Sequence, residues 1–165
     1  MSNVYGEGEE VANIANDLIS TYHPELATAK FRFILKEKAS KKGGRPVMGS
    51  VKKMSDLMVY LIEADFLMEV PLEIWNSLDH TKRTALVDHL LERCTGEEDE
   101  ETGEMKWKVR EPDVHEFNSI LRRYGAWNND LAEFSSVAKT LNLEFMTEDE
   151  GESDGEVEEL VQGTL

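Results

Sequence analysis

Cysteine is nearly absent from this chain: Cys94 is the only one in 165 residues. That excludes an intramolecular disulfide framework and a Cys₄ or Cys₂His₂ zinc site, and it fits a reducing compartment. No run of eighteen apolar residues occurs, so no membrane span is expected. The first ten residues hold no basic segment, so no signal peptide is expected either. Positive charge is scarce as well, with 18 Lys and Arg against 34 Asp and Glu, a net charge of −16. Phosphates are repelled at long range by such a chain, which argues against direct nucleic-acid binding and for a basic protein partner. A phosphate loop is missing. Lys41-Lys42-Gly43-Gly44-Arg45 has neither the Walker spacing nor the following Ser or Thr. No Gly-x-Ser-x-Gly elbow is present.

What is present suits one folded domain. Apolar residues make up 40% of the chain, enough for a core at this length and too many for a wholly disordered protein. The charge is unevenly placed. Nine basic residues lie between Lys30 and Lys53, opposed only by Glu37, so this stretch carries +8 and the remainder −24. Two acidic runs stand out. Glu97, Glu98, Asp99, Glu100 and Glu101 are consecutive, with Glu104 close behind, and residues 144–165 hold nine carboxylates and no cation. Each run reads either as a solvated face or as a surface for a positively charged partner. The basic stretch reads either as an offset to the acidic remainder or as a self-association surface that meets the acidic run of another copy head to tail.

The periodicity predicts a helix over Glu9 to Tyr22, ended by His23-Pro24. Phe31, Phe33 and Leu35 alternate with charged residues and predict a strand. Val47 to Met54 reads as its hairpin partner across the Gly43-Gly44 turn. Ser55 caps a short helix to Glu63. Phe66, Met68 and Val70 alternate as a strand that Pro71 closes. A helical turn or two follows to Leu78. Asp79 then caps a helix over Thr81 to Cys94, with Leu86, Leu90 and Cys94 facing the core and Gly96 closing it. Met105 to Val109 reads as a strand. Pro112 and Asp113 open a helix that Gly125 stops, and Trp127 to Leu141 forms the last one. The expected fold class is α+β, a small sheet with helices packed after it. One domain is expected over residues 1–146, with an acidic, disordered tail over 147–165.

Several of these segments together resemble the phage metallopeptidase family, small zincin-like proteins. They are Ala64-Asp65-Phe66, Trp75, the segment Arg83 to His89, Asp113-Val114-His115-Glu116-Phe117, Arg122-Arg123-Tyr124-Gly125 and Trp127, in that order. The resemblance spans roughly residues 8 to 130. It implies a central helix bearing HExxH, in which two histidines one turn apart bind zinc and the glutamate serves as general base. Here those five positions read His89, Leu90, Leu91, Glu92 and Arg93. His89 keeps the first ligand position. Leu90 cannot accept a proton, and Arg93 cannot bind zinc. Glu92 does not restore the geometry, because it lies three residues from His89.

The expectation is therefore a degenerate metal site at His89, Arg93 and Glu116, with no catalytic residues, no metal and no cofactor. Arg93 is expected to pair with Glu116, or otherwise with Glu92 or Asp113, replacing the lost positive charge. The expected function is that of an acidic, DNA-mimic-like inhibitor. It would work in the cytoplasm of an infected bacterium, binding a basic host protein that handles nucleic acid or serves in defence. Glu97, Glu98, Asp99, Glu100, Glu101 and Glu104 are its expected binding surface. Two alternatives stand beside it: a metallopeptidase with a non-standard site drawn from His89, Glu92, His115 and Glu116, and a phage structural or regulatory protein.

Overall fold

The computed structural model describes residues 3–149. They fall into two compact units, one ending at Glu111 and the next beginning at Pro112. This division lies inside the stretch expected as one domain. The expected tail lies outside the described residues, apart from its first three positions, which continue the last helix.

The first unit runs β1 (Tyr5–Glu7), α1 (Glu9–Tyr22), a 3₁₀ turn (Pro24–Leu26), β2 (Phe31–Lys36), β3 (Lys41–Lys42), β4 (Arg45–Pro46) and β5 (Ser50–Lys53). It continues with α2 (Asp56–Ile62), β6 (Phe66–Pro71), α3 (Leu72–Ser77), α4 (His80–Glu92), β7 (Cys94–Glu98) and β8 (Met105–Val109). The second holds α5 (Asn118–Tyr124) and α6 (Asn129–Asp149). The architecture is α+β.

The main sheet has the order β1-β2-β6-β5. β2 and β6 run parallel, with Phe31 beside Phe66 and Phe33 beside Met68, while β1 and β5 are antiparallel edges. The alternation read in β2 and β6 thus places Phe66, Met68 and Val70 in the core, all of them fully buried. Val11, Ile14, Ala15 and Leu18 of α1 and Leu86, Val87, Leu90 and Leu91 of α4 are buried in the same cluster. Phe31 stacks on Phe66 at 5.1 Å, and Trp107 meets Phe66 edge-on at 5.8 Å.

Three local signals hold where they were read. The Ser55 hydroxyl accepts the Met58 N–H, the Asp79 carboxylate accepts the Lys82 N–H, and Gly125 sits at φ +67 after α5. Three expectations are corrected. β5 pairs with β6, not with β2, because residues 41–46 close into their own small hairpin and β2 is taken by the parallel ladder. α4 ends at Glu92, so Cys94 and Gly96 belong to strand β7, drawn into pairing with β8. Residues 112–117 are not helical. The Glu116 carboxylate accepts the Phe117 N–H at 2.8 Å and the Trp127 indole N–H at 3.0 Å, and α5 begins at Asn118.

Candidate functional site

α4 carries His89 and Leu90, and Arg93 follows it, the positions that the sequence resemblance set against the zinc motif. Its buried face packs Leu86, Val87, Leu90 and Leu91 into the core, and this turns His89 outward. His89 opens onto a cleft of about 500 Å³ whose other walls include Met48, Gly49, Leu78, Leu86 and Leu90. Leu90, at the general-base position, is only 1% exposed. A carboxylate there would be buried among apolar side chains. Arg93, at the second ligand position, follows the last residue of α4. Its guanidinium donates to the Arg110 carbonyl at 3.2 Å and pairs with Glu111 at 3.5 Å. The expected partner Glu116 is held within the second unit by Phe117 and Trp127. Glu92 is likewise engaged: its backbone carbonyl and its carboxylate both accept from Arg110.

The donor set does not suit zinc. The three residues set against the motif by the resemblance are one imidazole, one buried leucine and one guanidinium. Among the described residues no group of three His, Cys, Asp or Glu side chains is placed to hold a metal ion. Cys94 offers no nucleophile. It is buried, its thiol donates to the Leu90 carbonyl at 3.5 Å, and desolvation pushes its pKa up to about 12. A thiol of that kind stays protonated at neutral pH.

His23 was read only as a helix end, yet it is the one buried polar side chain among the described residues, 3% exposed. Its Nε2 lies 2.6 Å from Asp88, while Nδ1 lies 3.6 Å from Glu25 and 3.8 Å from Glu92. These contacts tie the end of α1 to α4. A histidine before proline gives no sign of the carboxylates that the fold brings to it from sixty-five residues away.

The acidic run is built differently. Glu97, Glu98 and Asp99 lead up β7 into a turn, and β8 returns two lysines beside them. Lys108 donates to Glu97 at 2.8 Å, and Lys106 pairs with Asp99. Asp99 also accepts the N–H groups of Glu101 at 2.9 Å and Thr102 at 3.1 Å, fixing the turn. Hydrogen bonding to Lys108 lowers the Glu97 pKa, and Lys106 with those two backbone donors lowers that of Asp99. The six acidic residues thus divide. Glu97 and Asp99 are neutralised in place. Glu98, Glu100, Glu101 and Glu104 are exposed and make no ion pair with a described residue.

A family model described as Putative phage metallopeptidase matches residues 4–142, and the chain belongs to that family. No curated protein and no solved structure matches it. No helix among the described residues is long and apolar enough to cross a membrane.

Proposed function

We propose that this phage metallopeptidase relative is not a peptidase. It acts instead as an acidic binding protein that occupies a basic surface of a host protein, one that handles nucleic acid or serves in defence, in the cytoplasm of the infected bacterium. The observation that carries this reading is the β7–β8 hairpin. Four exposed, unneutralised carboxylates, Glu98, Glu100, Glu101 and Glu104, stand on a turn already fixed by Asp99. Charges held in place before binding cost less ordering entropy than charges on a free tail. Their field steers a cationic partner into contact, as a run of phosphates does. The motif helix supports the other half of the reading: Leu90 is committed to the core, and Arg93 bonds a backbone carbonyl.

The test is capture of host proteins on the immobilised full chain, with elution by salt. Under this reading the retained proteins are nucleic-acid-handling ones, they elute by about 0.5 M salt, and added DNA competes for them. The variant Glu98→Gln, Glu100→Gln, Glu101→Gln, Glu104→Gln loses them. Retention that ignores both salt and this variant would sink the proposal. So would stoichiometric zinc in the purified protein together with peptide cleavage.

A further inference from the structure

The basic part of the chain has a shape of its own. From Lys38 to Ser55 there are six cations and no carboxylate. Four of them, Lys38, Lys41, Lys42 and Arg45, lie on or beside the β3–β4 ribbon. Lys42 stands opposite Arg45, and Lys41 opposite Pro46. The turn is Gly43-Gly44, at φ +58 and +78. Two successive positive φ values are what a tight two-residue hairpin needs, and glycine adopts them without strain. A Cβ added at either glycine would meet nothing within 4 Å, so the tip stands clear of the other described residues. Its base is anchored. Val47 donates to the Ser40 carbonyl at 2.8 Å, and the Ala39 N–H donates to Glu73 of α3 at 2.6 Å.

Every residue from Lys41 to Pro46 is exposed, and none of the six cations is in an ion pair with a described residue. In a chain with 34 carboxylates this is unusual placement. The hairpin lysines Lys106 and Lys108 do find carboxylates.

We propose that the β3–β4 ribbon is a phosphate-binding finger for duplex DNA. A two-stranded ribbon fits the major groove, which is about 12 Å wide. Lysines and an arginine on its two strands can reach the phosphates that flank the groove, and the side-chain-free tip lets its backbone approach them. The surplus of negative charge elsewhere opposes this only over short range, since salt screens its field beyond about 8 Å at physiological ionic strength. Glu37, nearest in sequence, and Glu73, by its bond to the Ala39 N–H, lie at the base of the ribbon and not at its tip. The finger therefore adds a direct nucleic-acid contact that net charge argued against. It is independent of the acidic hairpin and of what the hairpin binds.

The experiment is anisotropy of a labelled duplex of about 20 base pairs, titrated with the full chain between about 50 and 200 mM salt. The expected result is binding that weakens with salt, with a log–log slope near −3 to −4, as about four phosphate contacts dictate. Lys41→Gln, Lys42→Gln, Arg45→Gln should reduce affinity at least about tenfold and flatten the slope by about 3. Lys108→Gln, which removes a cation elsewhere, should change affinity less than about twofold. Circular dichroism confirms that the exposed-ribbon variant is folded. Absence of binding at about 50 mM salt overturns the proposal, as does equal loss in the Lys108 variant. Salt-sensitive self-association without DNA, abolished by the ribbon variant, assigns the ribbon to a second copy and overturns it too.

Discussion

Glu10 is held by donors from two other helices. The Trp75 indole N–H donates to it at 2.9 Å and Arg83 donates at 2.9 Å, while Arg83 also bonds the Trp75 carbonyl and lies over its ring at 5.1 Å. The bond from Trp75, then that from Arg83, lowers the Glu10 pKa. A carboxyl with a lowered folded pKa adds stability above its unfolded value and loses it as pH falls through the folded one. Glu10 is about half exposed, so the contribution stays under about 1 kcal/mol. Glu10→Ala should therefore lower the melting temperature by a few degrees at pH 7. The gap should close as pH drops below the ordinary carboxylate range, as thermal melts across pH 7 to 3 would read. A gap that persists at the acid end would assign the effect to packing. None of this clamp was legible in the sequence, because Glu10, Trp75 and Arg83 meet only in the fold. That His89 and Leu90 lie on α4 was legible, because the helical stretch is contiguous. Where the Arg93 guanidinium ends, at Arg110 and Glu111, depends on the β8 strand returning beside α4.

The β7–β8 hairpin depends on a glycine that the periodicity assigned to a helix stop. Gly96 lies opposite Trp107, and a Cβ there would come within 2.4 Å of the Trp107 ring and 3.0 Å of the Met105 methyl. The ring is only 7% exposed and edges Phe66, so it has little room to move. Gly96→Ala should destabilise the protein by about 1–3 kcal/mol. In a double-mutant cycle with Trp107→Leu the two losses should be less than additive, because the smaller side chain removes the clash. Additive losses would mean that the glycine matters for its backbone alone. The same hairpin explains where element reading succeeded. Ser55, Asp79 and Gly125 act on their own neighbours, so α2, α4 and α5 were marked at those ends. The partner of β5, the end of α4 and the start of α5 are set by non-local contacts: a parallel ladder, a strand pairing and the Glu116–Trp127 bond. No short window of sequence contains them.

Across the whole molecule the surplus of carboxylates sets the response to salt. The ion pairs Arg32–Glu7, Lys82–Asp79 and Lys108–Glu97 are more than half exposed on both sides. Each is worth under about 1 kcal/mol and is itself screened. Opposing them is the self-repulsion of a chain at −16, which destabilises the compact state. With 34 acidic against 18 basic groups, repulsive pairs outnumber attractive ones, and screening removes more repulsion than attraction. Raising sodium chloride from about 20 to about 300 mM, where the Debye length falls from over 20 Å to about 6 Å, should therefore raise the melting temperature by a few degrees. The hairpin variant Glu98→Gln, Glu100→Gln, Glu101→Gln, Glu104→Gln takes the net charge from −16 to −12. It should melt higher than the natural chain at low salt, and the two should converge at high salt. The ribbon variant Lys41→Gln, Lys42→Gln, Arg45→Gln moves the charge the other way and should melt lower at low salt, because the cations it removes are in no ion pair with a described residue and their loss deepens the surplus. A melting temperature that falls with salt, or a hairpin variant that melts lower, would show that local ion pairs outweigh the global charge.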